Sequence, residues 1–237
     1  MILAAARRAC KLFCSLALLV TGPAVAESLE IIKPLDLYGK KILFDVFRSG
    51  EQIGHHQIDF FDNGINLKVS STVRLRLNFL ALFSYRYDYR SEAMWTDGQL
   101  DELEAMVDDD GEKSSVSAMR LGSRFNVKHG EHLYTTLAPL MPTNHWNSAV
   151  LKEKRVLNTL TGQINNVRLV PKVRESVETE HGSIMSTRYA YTGDLDTEVW
   201  YDDLGRWVKL RFRGSDGTPI EYICRRCQGA LKEDFKN

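Results

Sequence analysis

Ile65-Asn66-Leu67-Lys68-Val69-Ser70-Ser71-Thr72-Val73-Arg74-Leu75-Arg76-Leu77 sets apolar side chains at odd positions and polar ones at even positions, broken only at Ser71. A strand that buries one face and wets the other needs this period of two. The next stretch repeats it. Phe83, Tyr85, Tyr87, Tyr89, Ala93 and Trp95 share one face, and Ser84, Arg86, Asp88, Arg90 and Glu92 share the other. One dry face and one wet face is the pattern of antiparallel sheet.

Turn signals punctuate the chain around this core. Ser49-Gly50, Asn63-Gly64, Asp97-Gly98, Asp110-Gly111, His129-Gly130, Asp203-Leu204-Gly205 and Asp216-Gly217 tolerate the positive φ of tight hairpins. Between them the alternation predicts strands at 41–49, 53–62, 65–77, 83–96, 99–107, 113–121, 123–129 and 132–137. Further strands are predicted at 164–171, 173–179, 184–191, 197–201, 206–213 and 219–224. Many short strands joined by turns imply an all-β, mainly antiparallel fold. The architecture expected is a strongly curved sheet or open barrel-like β domain with one short helix in a connecting loop.

That loop is residues 138–162. Ala138-Pro139-Leu140-Met141-Pro142-Thr143-Asn144-His145-Trp146-Asn147 is bounded by prolines. Residues 148–160 have the makings of a short helix, capped by Asn147 or Ser148 and ended by Gly162. The segment is either a lid or plug across one end of the sheet or an ordinary connector.

The N-terminus reads as an export address. Arg7, Arg8 and Lys11 precede a short apolar run at 12–20, then Thr21-Gly22-Pro23 and the small residues Ala24-Val25-Ala26. The run is too short to span a bilayer, which takes about 20 residues, and matches a cleavable signal peptide at 1–26. The expected product is one β-rich domain, 27–237, in the periplasm. The whole chain of 237 residues balances 31 Lys+Arg against 31 Asp+Glu. Removal of the signal would tilt that balance to a mild acid excess. Neither state has the basic surplus that general nucleic-acid binding needs. Nor is an integral membrane protein expected, since the strands read as too short or too polar for an outer-membrane barrel.

Few residues carry an obvious chemistry. Cys224-Arg225-Arg226-Cys227 favours a small structural disulfide in an oxidising compartment, provided the chain turns after the last strand. His55 and His56 are adjacent in a strand and point to opposite faces, so they cannot share a metal there. No metal and no cofactor is expected: a zinc site would need two ligands beyond the cysteines, and no phosphate-cradling glycine loop or dinucleotide fingerprint is present. No Gly-x-Ser-x-Gly elbow supports a serine nucleophile. His145, beside Trp146 in the proline-bounded loop, is the one histidine on which an envelope hydrolase or other enzyme, with a nearby carboxylate, would rest. The acid clusters at Asp108-Asp109-Asp110 and at Asp194, Asp196, Asp202 and Asp203 read as solvated turns. The aromatic faces are more distinctive. In a curved sheet, Tyr85, Tyr87, Tyr89, Trp146 and Trp200 would either wall a pocket for an apolar or amphipathic ligand, such as a lipid, or pack as filled core.

Several stretches resemble a bacterial exported family catalogued only as a domain of unknown function. They are residues 41–61, with Phe44-Asp45-Val46 and Ile53-Gly54-His55-His56, the element Pro142-Thr143-Asn144-His145-Trp146-Asn147, and Gly193-Asp194-Leu195. Trp200-Tyr201-Asp202-Asp203-Leu204-Gly205-Arg206-Trp207-Val208 and Asp216-Gly217-Thr218-Pro219-Ile220-Glu221-Tyr222 complete the likeness. The resemblance implies a signal-bearing, single-domain, β-rich envelope protein, and carries over no catalytic residue. Ligand binding, hydrolysis or another enzymatic reaction through His145, and a structural or interaction role with other envelope proteins are the functions left to weigh.

Overall fold

The computed structural model describes residues 33–79, 83–179 and 182–228. The export segment 1–26, the Leu80-Ala81-Leu82 corner and the C-terminal residues 231–237 lie outside the described residues. A short helix α1 (Pro34–Tyr38), opened by proline in its first turn, precedes the strands. The first half of the chain then runs β1 (Lys41–Arg48), β2 (Glu51–Asp62), β3 (Asn66–Phe79), β4 (Phe83–Thr96), β5 (Gln99–Asp109), β6 (Glu112–Leu121), β7 (Arg124–His129) and β8 (His132–Leu137). The second half runs β9 (Met141–Pro142), β10 (Arg155–Leu157), β11 (Ile164–Thr179), β12 (Gly182–Gly193), β13 (Thr197–Asp202), β14 (Trp207–Arg213) and β15 (Pro219–Arg226).

Among the described residues all 15 strands join one sheet, ordered β8-β7-β6-β5-β4-β3-β2-β1-β15-β14-β13-β12-β11-β10-β9. Neighbours pair antiparallel except β9 with β10, which is parallel. The fold is therefore mostly β, with its two halves joined at the β1–β15 pair. Residues 65–77 of the deciding stretch fall in or beside β3, and the long β3–β4 hairpin places Leu77 opposite Tyr85, Leu75 opposite Tyr87 and Val73 opposite Tyr89. The hairpins at Asp97-Gly98 and Asp110-Gly111 have both central residues at positive φ, as two-residue hairpin turns require.

One connection forces the sheet to curl. Laid flat, fifteen strands would span about 70 Å. Yet β8 is one edge and β9 the other, and only residues 138–140 link them, a reach of at most about 14 Å. The edges therefore approach one another. Among the described residues no backbone ladder joins them; side chains link β8 to the strand and turn beside β9, with the Arg155 guanidinium of β10 donating to the Thr136 hydroxyl and the Tyr134 hydroxyl donating to the Gly162 carbonyl. The result is barrel-like without being a closed barrel.

Three local expectations change. Residues 148–160 are not one helix. Asn147 caps a single 3₁₀ turn, Ser148–Lys152, through its side-chain oxygen and the Ala149 N–H (3.0 Å). The chain then extends as β10, because Val156 and Leu157 bury fully while pairing with β11 and β9. Second, 164–171 and 173–179 form one 16-residue strand, β11, with an irregularity between Pro171 and Arg174. The proline's missing N–H is tolerated there because β10 extends along β11 only as far as Asn166. Third, the α-helix stands before β1 instead of in the connecting loop.

The interior is filled in one part by the 138–162 segment. Trp146 is 1% exposed and meets Phe60 and Trp95 edge-on, with ring centroids 5.4 and 5.3 Å away. Buried hydroxyls pin the backbone around it. Tyr38 donates to the Trp146 carbonyl (2.9 Å) and accepts from the Trp207 N–H (2.8 Å), while Tyr201 donates to the His145 carbonyl (2.8 Å). The segment thus plugs part of the curl and leaves the remainder open.

Candidate functional site

The open part is a cavity of about 820 Å³. Its wall comes from β1 to β5, β12 to β15 and the plug segment. The strand period decides which residues reach it. Leu77, Leu75 and Val73 of β3 and Tyr85, Tyr87 and Tyr89 of β4 alternate inward, in register across the hairpin. Leu210 and Phe212 of β14 and Ile220 and Tyr222 of β15 do the same from the opposite side.

The cavity is graded from rim to floor. At the rim, Tyr85 donates to the exposed Asp109 carboxylate, Arg48 pairs with Asp216, and the Arg213 guanidinium donates to the Gly217 carbonyl (3.1 Å). The turn N–H and hydroxyl of Thr218, and after them the Arg48 bond, hold the Asp216 carboxyl down at about 2. Tyr87 is half-buried further in, and Tyr89 is buried, its hydroxyl donating to Thr159 (3.0 Å). The floor holds His145, whose Nδ1 lies 3.3 Å from the Tyr191 hydroxyl, and His56, whose Nε2 lies 2.8 Å from Ser71 Oγ. Both imidazoles pack edge-on against Trp207.

Burial strips this inner wall of charge. It lowers His145 to about 4, and with the nearby His145 it lowers His56 to about 3. Burial likewise raises the phenols of Tyr87, Tyr89, Tyr191 and Tyr222. At neutral pH the interior therefore offers neutral hydrogen-bonding groups set in apolar wall, with fixed charges confined to the rim.

The five aromatic candidates divide. Tyr85, Tyr87 and Tyr89 line the cavity. Trp146 does not; it is core beneath the floor. Trp200 lies on the outer face, since its strand neighbour Tyr201 points inward to the plug. Its indole N–H donates to Glu175 (2.7 Å), and Lys209 and Arg211 cover the ring at 5.2 and 5.6 Å from its centroid. His145 reaches the cavity, but among the described residues its hydrogen-bond partner is a phenol, and no carboxylate bonds to it. Cys224 and Cys227 are joined, with Cα atoms 5.7 Å apart, and both are buried. The expected turn does not follow the strand at Cys224: β15 runs on to Arg226, with a register shift against β1 opposite Leu43 and Phe44. His55 faces outward against Asp45 (2.8 Å) while His56 faces inward, opposite faces as adjacent strand positions demand. Among the described residues no group of histidines, cysteines and carboxylates could hold a metal. No helix among them is long and apolar enough to cross a membrane.

Tyr222 escaped the sequence reading. The signal was present in Ile220, Tyr222 and Cys224, which share one face of β15. That this face meets β4 across a cavity depends on the curl.

Comparison with known proteins places the fold without assigning an activity. No curated protein matches the chain. A crystal structure of a β-barrel-like protein of Domain of Unknown Function DUF1849 from Brucella abortus aligns with a TM-score of 0.56 at 9% identity. The alignment covers 81% of this chain and 97% of that one, a likeness of fold alone. The family model described as Domain of unknown function (DUF6134) matches residues 44–225, and with that match across most of its length the chain belongs to this family.

Proposed function

We propose that this protein binds an amphipathic ligand, with its apolar body inside the curled sheet and its polar end at the rim. The observation that carries this reading is the cavity of about 820 Å³, walled mainly by aliphatic and aromatic side chains and charged only at its mouth. Its volume lies within the range of small-molecule sites, about 300–1,000 Å³. An ordinary core would close such a space, because interiors pack to crystal-like density. The reading includes an exported, periplasmic setting, supported by the basic, apolar and small-residue order of residues 1–26.

Native mass spectrometry of protein released gently from the periplasm tests it, together with titration by a fluorescent hydrophobic dye. The expected result is a retained small-molecule mass or one dye per chain. Leu210→Trp, which adds bulk at the cavity wall, should weaken dye binding at least tenfold while far-UV circular dichroism is unchanged. A clean apo mass with no dye bound would sink the proposal.

A further inference from the structure

We infer that Tyr87, Tyr89 and Tyr222 form an uncharged hydrogen-bonding collar across the cavity, and that the ligand carries a neutral carbonyl acceptor, an ester or amide, within its apolar body. This rests on the ligand-binding reading above and narrows it to a chemical class.

The collar is a product of the curl. Tyr87 and Tyr89 stand on β4 and Tyr222 on β15, with β3, β2 and β1 between them in the sheet. All three nonetheless line the one cavity. Burial raises both the Tyr87 and the Tyr222 phenol, and the neighbouring tyrosines add to it, Tyr222 and Tyr89 for Tyr87 and Tyr89 for Tyr222. Tyr89 has a protein acceptor in Thr159. The hydroxyls of Tyr87 and Tyr222 have no protein hydrogen-bond partner among the described residues, and both open onto the cavity instead of being sealed in the wall. Packing alone would be served as well by phenylalanine, so two inward phenol donors without acceptors point to an acceptor that arrives with the ligand.

Charge selects the kind of acceptor. The cations that line the cavity, Arg48 and Arg213, are at its mouth, where Arg48 is paired with Asp216. The imidazoles at the floor are neutral at ordinary pH. A carboxylate or phosphate at collar depth would be desolvated without a counter-charge, whereas a neutral carbonyl accepts the phenol protons at little cost. Strand geometry sets the depth. Tyr87 and Tyr89 are two and four residues inward of the rim residue Tyr85, about 7 and 13 Å. A charged or hydrated head then remains at the rim with the carbonyl a short distance inside it.

The experiment uses the folded exported chain and three probes of equal chain length: methyl laurate, laurate and dodecane. Each competes against the hydrophobic dye. Methyl laurate is expected to bind tightest. The double variant Tyr87→Phe/Tyr222→Phe keeps both rings, so it should lower methyl laurate affinity about tenfold and leave dodecane within about twofold. Phe61→Leu, an exposed position on β2 outside the cavity lining, serves as control and should preserve the ester preference. An independent measurement needs no variant: with the ester carbonyl isotopically labelled, its infrared band should shift to lower frequency on binding. An unshifted band, or an ester affinity indifferent to the double variant, would overturn the collar while dye binding persisted. Failure of the dye and all three probes to bind would instead remove the ligand-binding reading on which the collar depends.

Discussion

At the scale of single residues, Tyr38 shows how one polar group ties distant parts of the chain together. Its hydroxyl donates to the carbonyl of Trp146 and accepts from the N–H of Trp207, both in buried surroundings. The ring of Tyr38 is fully buried and stacks on Phe60 at 5.8 Å. Phenylalanine would keep the ring and strand both backbone groups away from water. Unsatisfied buried groups of this kind cost about 1–3 kcal/mol each. Tyr38→Phe is therefore expected to lower the urea midpoint by an amount equivalent to at least about 2 kcal/mol. An unchanged midpoint would mean that the plug is held by apolar packing alone. Trp200 teaches the opposite lesson, that an aromatic in the right pattern can face the wrong way. Covered by Lys209 and Arg211 on the outer face, it has no route to the cavity.

At the scale of elements, the alternation of each strand is what divides cavity wall from wet surface. Outward positions of β3 and β4 carry Lys68 paired with Glu92 and Arg76 paired with Asp88, exposed pairs that stabilise weakly. β2 and β3 approach closely at one glycine. Gly54 lies opposite Leu75, and a Cβ at this position would fall 1.9 Å from the Arg74 carbonyl oxygen. That distance lies far inside van der Waals contact with backbone that cannot swing aside. Gly54→Ala should therefore force the strands apart and destabilise the fold by several kcal/mol, read as a large drop in Tm or loss of soluble protein. Wild-type stability in this variant would show that the approach of β2 to β3 is not closely constrained. The position also adjoins the irregularity where β1 and β2 slip register between Val46 and Phe47, which is consistent with a local bend that needs the missing side chain.

At the scale of the whole molecule, the two buried histidines couple stability to pH. Both are held below the ordinary value of 6.5, His145 at about 4 and His56 at about 3. The unfolded chain takes up protons near pH 6.5, whereas the folded chain takes them up only near the lowered values. Stability is thus greatest above about 6.5 and falls as pH drops toward 4, levelling once the folded histidines also protonate. The His145 contribution is about 3 kcal/mol at full extent. Urea midpoints at pH 7.5 and 4.5 should differ accordingly, and His145→Gln should flatten the dependence. Equal slopes for the variant and the parent would show that other groups govern the acid limb. The cavity's interior stays neutral through this same range above about pH 4, so dye binding should hold while the fold does.

Most strands and their faces were legible in local pattern. The period of two over 65–77, the glycine turns and the aromatic row Tyr85, Tyr87 and Tyr89 are local patterns, read from neighbours a few residues apart. Hairpin pairing follows from them, as β3 opposite β4 illustrates. Tertiary structure alone decided what those faces enclose. The twist summed over 15 strands and the short 138–140 link bring β15 across from β4, put Tyr222 in the cavity and send Trp146 beneath its floor. The same closure turned the end of the expected 148–160 helix into β10, because a buried edge of β11 was waiting for a ladder partner. Periodicity tells a residue which side of its strand it occupies. Whether that side is packed core, ligand wall or charge-covered surface depends on strands far away in the chain.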